Sequence, residues 1–166
     1  MSLRKTLRVT LLALIIVSTF TLAGCSPISS GMITLENGNY RLEPAPGCAE
    51  TYSEVTVKYV PPEDVVDFDF SDLELVWSIE FKANSGITSV VLFEDFPDAL
   101  RQTHAKPVDL GRRVQILWRY EGSDMSGPGL VGILGDITPE NVLWENGIEP
   151  LDGFTRKASR SNFSCR

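Results

Sequence analysis

Three segments of the chain alternate apolar and polar residues with a period of two. They cover residues 54–60, 73–82 and 113–120. This alternation is typical of half-buried strands in antiparallel sheets, with one face on a core and the other in water. In the second segment the apolar face comprises Leu73, Leu75, Trp77, Ile79 and Phe81. We expect Trp77 and Trp118 in the core, whereas the pattern leaves Trp144 unassigned.

Two Asn-Gly pairs mark candidate hairpins. Asn37-Gly38 and Asn146-Gly147 each lie between short apolar stretches. Asn-Gly supplies the positive φ angles that a two-residue hairpin needs. The second pair has a rival interpretation, because the Thr-Pro-Glu sequence at 138–140 is typical of a helix N-cap followed by Pro at the first helical position. A single helical turn there is therefore the alternative.

The remaining pattern favours strands over helices. Residues 87–93 are apolar on both faces, which predicts a central strand, and residues 83–86 would turn the chain into it. The best helical stripe, residues 98–104 after Pro97, spans only about two turns. About seven short strands, frequent turn signals and ten prolines predict an all-β fold. The specific prediction is a small antiparallel β-sandwich of the immunoglobulin or fibronectin type.

The first 24 residues have the pattern of an export signal. A basic stretch precedes an apolar run at residues 9–22, and only small residues separate this run from Cys25. The run is about 14 residues long, whereas a bilayer span takes roughly 20, so a signal peptide is favoured over a transmembrane helix. The run ends in the sequence Leu22-Ala23-Gly24-Cys25.

This sequence resembles the lipobox of bacterial lipoproteins. The resemblance implies cleavage before Cys25 and modification of its thiol by diacylglycerol, which anchors the chain to the extracytoplasmic side of the cell membrane. The chain would then consist of a signal peptide at 1–24, a lipidated tether at 25–31 and one sandwich domain at 32–166. An ordinary secretory signal, with Cys25 as a third thiol, is the alternative.

The mature part of the chain also carries a pattern that is similar to small lipoproteins of high-GC Gram-positive bacteria. The residues that carry this resemblance are Trp77-Ser78-Ile79, residues 87–93, Pro97, Pro107, Leu110-Gly111 and Val114. It implies the same exported sandwich and transfers no catalytic residue.

The net charge of the chain limits the classes of binding partner that we expect. The net charge is −7, and removal of the first 24 residues, which hold Arg4, Lys5 and Arg8 and no acid, leaves −10. An acidic domain without a Lys/Arg cluster lacks the surface that binds nucleic acids, so DNA and RNA are excluded as expected partners. Membrane contact must come from the lipid, and the expected partner is an envelope protein or ligand.

The cysteines predict one disulfide. Once Cys25 is lipidated, Cys48 and Cys165 remain, and a pair of cysteines in an exported chain favours a disulfide. It would close a loop of over 100 residues, for which the chain-entropy model gives roughly 4–5 kcal/mol. A redox or metal site is the alternative, but the sequence has neither a CxxC pair nor a nearby histidine.

Two features of the sequence resemble parts of known functional sites, but the surrounding residues that those sites require are absent. Residues 127–132 fit G-x-G-x-x-G, but the segment that follows is too short and glycine-broken for the helix of a dinucleotide site. We interpret it as a glycine-rich loop that leads into an irregular strand. His104, the only histidine, lies in a polar stretch without a G-x-S-x-G elbow, so we expect an exposed loop histidine. No catalytic residue, zinc site or cofactor is predicted.

Acidic residues cluster between 63 and 74. Asp67, Asp69 and Asp72 could offer calcium three carboxylates, but the run lacks the Gly and Glu of an EF-hand loop, which favours a solvated acidic face. A carboxylate pair for glycoside hydrolysis could come from this cluster or from the acids at 94, 95 and 98, depending on the separation of their carboxyl groups.

Two hypotheses for function follow. The first is a non-enzymatic, lipid-anchored module of the cell envelope that binds a partner or has a structural role. The second is a small hydrolase of envelope polymers. The second requires two carboxyl groups that face each other across a cleft, with at least one raised pKa.

Overall fold

The computed structural model describes residues 31–45, 48, 50–62, 73–123, 129–144 and 147–160, with only the backbone described at 156–160. Several predicted features therefore lie outside the described residues. They are the signal peptide, Cys25, the tether up to residue 30, the three aspartates Asp67, Asp69 and Asp72, and Cys165.

Ten strands and one α-helix make up the described part of the chain. The strands are β1 (Gly31–Glu36), β2 (Asn39–Pro44), β3 (Tyr52–Tyr59), β4 (Glu74–Phe81), β5 (Val90–Val91), β6 (Ala99–His104), β7 (Arg113–Tyr120), β8 (Leu130–Ile133), β9 (Asn141–Trp144) and β10 (Gly147–Pro150). The helix is α1 (Leu151–Arg160), and a single 3-10 turn, Leu134–Asp136, follows β8.

The strands form two antiparallel sheets of five strands each. Sheet A has the order β10-β9-β1-β2-β5, and sheet B has the order β6-β4-β3-β7-β8. This confirms the predicted all-β antiparallel sandwich. Constant-type immunoglobulin sandwiches divide seven strands into four and three, so the immunoglobulin-like assignment is not confirmed.

The core lies between the two sheets. Sheet A contributes Ile33, Leu42 and Leu143, and sheet B contributes residues that include Trp77 and Trp118. The two indoles are 0% and 1% exposed, which confirms their predicted place in the core. The alternation in β3, β4 and β7 is therefore the pattern of one buried face, as expected for an antiparallel sheet.

Both predicted hairpins are present. Asn37 and Gly38 have φ angles of 52° and 85° and connect β1 to β2, as a type I′ turn requires. β9 and β10 form the second hairpin, but Trp144 pairs with Gly147, so Gly147 is the first residue of β10 and not part of the predicted Asn-Gly turn, and Asn146 lies outside the described residues. Residues 139 and 140 form a turn and not a helix; the Asn141 N–H donates to the Thr138 carbonyl at 3.2 Å. The rival helical turn is therefore wrong.

A bulge in β4 alters its predicted face. Val57 pairs with Trp77 and Lys58 with Leu75, so Val76 is an extra residue in β4. The bulge reverses the alternation at this point, because Val76 is fully buried whereas Leu75 is only half-buried.

The prediction of a central strand at residues 87–93 is wrong. Only Val90–Val91 form a strand, β5, and it lies at the edge of sheet A. The segment crosses between the sheets instead: the Ile87 carbonyl accepts from the Tyr52 N–H of sheet B at 2.7 Å, and the Leu92 N–H donates to the Tyr40 carbonyl of sheet A at 2.8 Å. Val90 and Leu92 are buried, whereas the other residues of this segment are half-buried or exposed, so the segment does not have the two buried faces of a central strand.

The helical elements were not predicted correctly. The best helical stripe, predicted at residues 98–104, forms strand β6 from Ala99 to His104, because its backbone pairs with β4 from Trp77 to Phe81. The helix is α1, whose Phe154 packs on the outer face of sheet A against Met32, Val142 and Trp144. Trp144 thus belongs to a second small core. Gly31, predicted as the end of the tether, is the first residue of β1.

Candidate functional site

A groove of about 850 Å³ lies where the ends of the two sheets approach each other. β8 is the last strand of sheet B and β10 the last strand of sheet A, and residues of both line the groove. The apolar wall includes Val60, Pro61, Val131, Ile133, Leu143 and Ile148. This volume is typical of a site for a small ligand or a short peptide segment.

Gly132 brings the two walls of the groove together. A Cβ atom on Gly132 would lie 2.8 Å from Cδ1 of Leu143, which belongs to β9 in the opposite sheet. A larger residue at this position of β8 would require the Leu143 side chain to shift. The glycine therefore allows β8 and Leu143 to approach each other closely at the groove.

Arg112 carries a positive charge at the wall of the groove and is held from two sides. Its Cζ atom lies 3.7 Å from the centre of the Tyr59 ring, within the range of a cation–π contact. Its two terminal nitrogens each lie 3.4 Å from Oε2 of Glu74. The ring and the carboxylate therefore contact the guanidinium at its face and at its terminal nitrogens.

The Tyr59 ring is itself held in place. Its hydroxyl donates to the Pro107 carbonyl at 3.3 Å and accepts from the Asp109 N–H at 2.6 Å. Oδ1 of Asp109 accepts from the Gly111 N–H at 3.0 Å. These bonds fix the connection between β6 and β7, so Arg112 is presented by a preorganised loop.

Glu74 is shared between two cations. Lys106 donates a hydrogen bond to Oε1, and Arg112 contacts Oε2. The bond from Lys106, together with the positive charges of Lys106 and Arg112, holds the pKa of Glu74 below its ordinary value. One carboxylate thus faces two positive side chains. Glu74, the last residue of the predicted acidic cluster, therefore lies next to two positively charged side chains.

The charges that line the groove are unlike those of the domain as a whole. The lining includes two guanidinium groups, Arg112 and Arg113, and among the described residues one carboxylate, Asp136. The chain from Cys25 onward has a net charge of −10. Arg112 was not predicted from the sequence; its only local signal is the Arg112-Arg113 pair at the start of an alternating segment.

His104 does not lie in an exposed loop as predicted. It ends strand β6, and its Nε2 lies 3.0 Å from Oδ1 of Asp95 and 2.9 Å from Nε2 of Gln102. The Gln102 amide also donates to the Glu94 carbonyl at 2.6 Å. The side chains of His104 and Asp95 are 48% and 92% exposed. Ion pairs that are this exposed contribute little to stability.

The other candidate carboxylates are surface residues. Glu94, Asp95 and Asp98 are all exposed and lie on the connection between β5 and β6. This connection is next to β6, at the opposite edge of sheet B from β8. These acids therefore do not contribute to the groove.

The glycine-rich motif continues as the sequence analysis predicted. Gly129 and Gly132 are followed by the end of β8, one 3-10 turn and β9, without the helix of a dinucleotide site in the described residues 129–144. Gly127 and Pro128 lie outside the described part. Gly129 has a φ angle of 77°, and its Cβ would lie 2.8 Å from Cδ2 of Leu117, so a side chain here would be strained.

The cysteine and calcium predictions stay predictions. Cys48 is 8% exposed, and its N–H donates to the Ala45 carbonyl at 3.0 Å, but Cys165 lies outside the described residues. The same holds for Asp67, Asp69 and Asp72. Within the described ranges, no three side chains of His, Cys, Asp or Glu come together to hold a metal ion.

Comparisons with family models, with curated proteins and with solved structures found no match. In the part of the chain that the structure describes, no helix has the length and apolar character that a membrane span requires. The assignment of a function therefore depends on the residues of this chain, and the groove beside Arg112 is the strongest described candidate.

Proposed function

We propose that this chain is a lipid-anchored binding module of the cell envelope, held by Cys25 at the extracytoplasmic face of the membrane. The Leu-Ala-Gly-Cys sequence after an apolar run supports the anchor. A net charge of −10 from Cys25 onward supports lipid and not electrostatic attachment to an anionic membrane. The predicted disulfide between Cys48 and Cys165 would suit the same compartment.

The groove between β8 and β10 is the observation that carries the binding role. It combines apolar walls, a volume of about 850 Å³ and a cation that Tyr59 and Glu74 contact. Concave, mostly apolar sites with a few fixed polar groups are the usual form of ligand sites.

Replacement of Cys25 tests the anchor. The full-length chain and its Cys25→Ser variant should be produced with a labelled fatty acid, and the label and the membrane fraction compared. We expect both signals to be lost in Cys25→Ser and kept in the neighbouring Ser26→Ala control. An unchanged, labelled membrane protein from Cys25→Ser would rule out the anchor.

Position-specific cross-linking tests the groove. A photoreactive phenylalanine at Ile148, which lines the groove and is 39% exposed, should trap a partner in cells. The same residue at Leu100 is the matched control, because Leu100 is 60% exposed and lies on β6 at the far edge of sheet B. Equal trapping at the two positions, or none at Ile148, would show that the groove is not the binding surface.

The envelope-polymer hydrolase stays the alternative. Hydrolysis by paired carboxylates needs a second carboxyl group within about 5–10 Å of the first. Asp136 is the carboxylate that lines the groove among the described residues, and no partner for it is described there. The binding role is therefore the better supported of the two.

A further inference from the structure

We propose that the C-terminal half of α1 contacts the anionic lipid headgroups of the membrane that holds Cys25, and that this contact orients the sandwich on the membrane. The bases concerned are Arg156, Lys157 and Arg160. The inference depends on the proposed lipid anchor and adds to it a second, electrostatic contact with the same membrane. It does not depend on the groove.

The charges of the mature chain are unevenly distributed. Residues 147–166 have a net charge of +2, whereas residues 25–146 have a net charge of −12. The charged residues of the first segment are four bases and two acids, Arg156, Lys157, Arg160, Arg166, Glu149 and Asp152. In this balance each acid already neutralises one base, so two positive charges are left over. The lack of a Lys/Arg cluster therefore applies to residues 25–146 and not to α1.

The direction of α1 follows from its contacts with β9. The helix begins beside Glu140, because the Leu151 N–H donates to the Glu140 carbonyl at 2.9 Å. Three residues later, Phe154 packs against Val142 and Trp144, which lie further along β9. The helix therefore runs in the same direction as β9, and its basic half lies towards the Trp144 end of that strand.

The tether leaves the domain at the same end of sheet A. β1 is antiparallel to β9, with Ile33 opposite Leu143, so Gly31 lies beyond Leu143 in the direction of β9. Gly31 is the sixth residue after Cys25, and an extended chain spans at most about 3.6 Å per residue, so Cys25 lies within about 22 Å of Gly31. The membrane that holds Cys25 is therefore close to the end of the domain towards which α1 runs.

The helical register places two of the basic positions on the side of α1 away from sheet A. Phe154 is 1% exposed and packs on the sheet. With 3.6 residues per turn, positions 156 and 160 lie about 160° and 120° around the helix axis from position 154. These two positions are therefore on the outer side of the helix.

The chemistry of this segment matches an anionic bilayer. Such a bilayer has a negative surface potential, which attracts basic residues close to the anchored end of a protein. The same potential repels the acidic residues 25–146. Both forces turn α1 towards the membrane and the acidic part of the sandwich away from it. A lipid on a tether would not by itself select this orientation.

The test uses the full-length lipidated protein in floated vesicles that contain a photolabelled tracer lipid. One set of vesicles is phosphatidylcholine alone, and the other contains about 30% phosphatidylglycerol. A photoreactive phenylalanine replaces Thr155, an exposed residue of α1 next to the bases. We expect phosphatidylglycerol to raise cross-linking to lipid at this position at least about threefold. About 0.5 M salt should remove the increase, because it shortens the screening length to about 4 Å.

The same photoreactive residue at Leu100 is the control for position. Leu100 is 60% exposed and lies on β6 of sheet B, whereas α1 packs on the outer face of sheet A. Cross-linking of Leu100 to lipid should not increase with phosphatidylglycerol. Phosphatidylserine in place of phosphatidylglycerol should give the same contrast, because the net charge of the lipid and not its headgroup structure is recognised.

Two triple variants with equal net charge separate a local from a general effect of charge. The first combines Arg156→Gln, Lys157→Gln and Arg160→Gln, and we expect it to lose the increase at Thr155. The second replaces three exposed bases in or directly after strands of sheet B by Gln and should keep the increase; they are Lys82, Arg101 and Arg119. Glutamine forms helices nearly as well as Arg and Lys, so α1 should persist in the first variant.

Several outcomes would overturn the inference. They are equal cross-linking at Thr155 in the two sets of vesicles, an equal increase at Leu100, an increase that survives in the first triple variant, and an equal loss in both triple variants. The first two outcomes need no charge variant, so they decide the question even if the first triple variant does not fold. All four leave the lipid anchor in place, since the protein still floats with the vesicles. Failure of the full-length chain to float with either set would overturn the anchor together with this inference.

Discussion

Gly31 lies against the indole of Trp118. A Cβ atom on Gly31 would be 2.7 Å from Cζ2 and 2.9 Å from Cη2 of that ring. Trp118 is only 1% exposed and packs between the two sheets, so the ring has no space into which it could move. The first residue of β1 is therefore a contact between the sheets and not only the start of a strand.

Gly31→Ala should lower the free energy of unfolding by about 1–3 kcal/mol, because it overpacks the core at Trp118. Urea denaturation followed by tryptophan fluorescence measures the change. Gly153→Ala is the control: nothing lies within 4 Å of its Cβ position, and alanine favours a helix by about 0.5–1 kcal/mol. The two glycine variants should therefore move stability in opposite directions. If Gly31→Ala were as stable as the unchanged protein, the close approach to Trp118 would be wrong.

The helix α1 depends on Phe154. This side chain is 1% exposed, and its ring centre lies 5.0 Å from that of Trp144 in an edge-on contact. Phe154→Ala should cost about 3–5 kcal/mol at this contact and release α1 from sheet A. Hydrogen exchange of the amides at 151–160 should accelerate while the strands of sheet B remain protected.

Leu151→Ala is the control for Phe154→Ala. Leu151 also belongs to α1 but is 38% exposed, so its truncation should change stability by less than about 1 kcal/mol. Unchanged amide protection of α1 in Phe154→Ala would show that other contacts hold the helix.

The strands with one buried face could be predicted from the sequence, because their alternation directly reflects the sandwich. Asn37-Gly38 was equally informative, since positive φ angles at both residues are required locally. By contrast, the crossing segment at 87–93 is defined by tertiary hydrogen bonds to both sheets, and the bulge at Val76 depends on the register with β3. The periodicity of apolar residues contains no information about contacts between segments that are distant in the sequence.

The candidate site was less accessible to sequence reasoning than the fold. Arg112 acquires its role from Tyr59 and Glu74, which lie on different strands, and no local pattern joins the three. His104 was assigned to a loop because its neighbours are polar, but those polar residues form an edge strand. The acids at 67, 69 and 72, which attracted a calcium hypothesis, lie outside the described residues.

The predicted disulfide between Cys48 and Cys165 can be tested directly. Peptide mapping without reduction should show a fragment that joins the two cysteines. Cys165→Ser should then lower the free energy of unfolding by up to roughly 4–5 kcal/mol, because the closed loop is longer than 100 residues. Cys25→Ser should leave the bridge intact. Two titratable thiols at positions 48 and 165 would contradict the assignment.

Glu74 and Glu43 should give opposite dependences of stability on pH. The pKa of Glu74 lies below the ordinary value of 4.5, chiefly because Lys106 donates a hydrogen bond to it. Its stabilising contribution is therefore present above the unfolded pKa and is lost as the pH falls through the lowered folded pKa. Burial raises the pKa of Glu43, and the charge of Arg41 only partly opposes this shift. The contribution of Glu43 is therefore present below the unfolded pKa and is lost as the pH rises through the folded pKa.

Thermal unfolding of Glu74→Gln and Glu43→Gln from about pH 3 to pH 7 separates the two cases, because this range brackets the ordinary value of 4.5 from which the two pKa values depart in opposite directions. Glu74→Gln should be less stable than the unchanged protein at pH 7, and the difference should shrink towards pH 3. Glu43→Gln should gain stability relative to the unchanged protein as the pH rises, because the amide is buried without ionising. Parallel pH profiles for the two variants would contradict both assigned shifts. A flat difference for Glu74→Gln alone would show that Lys106 and Arg112 do not stabilise the charged form of Glu74.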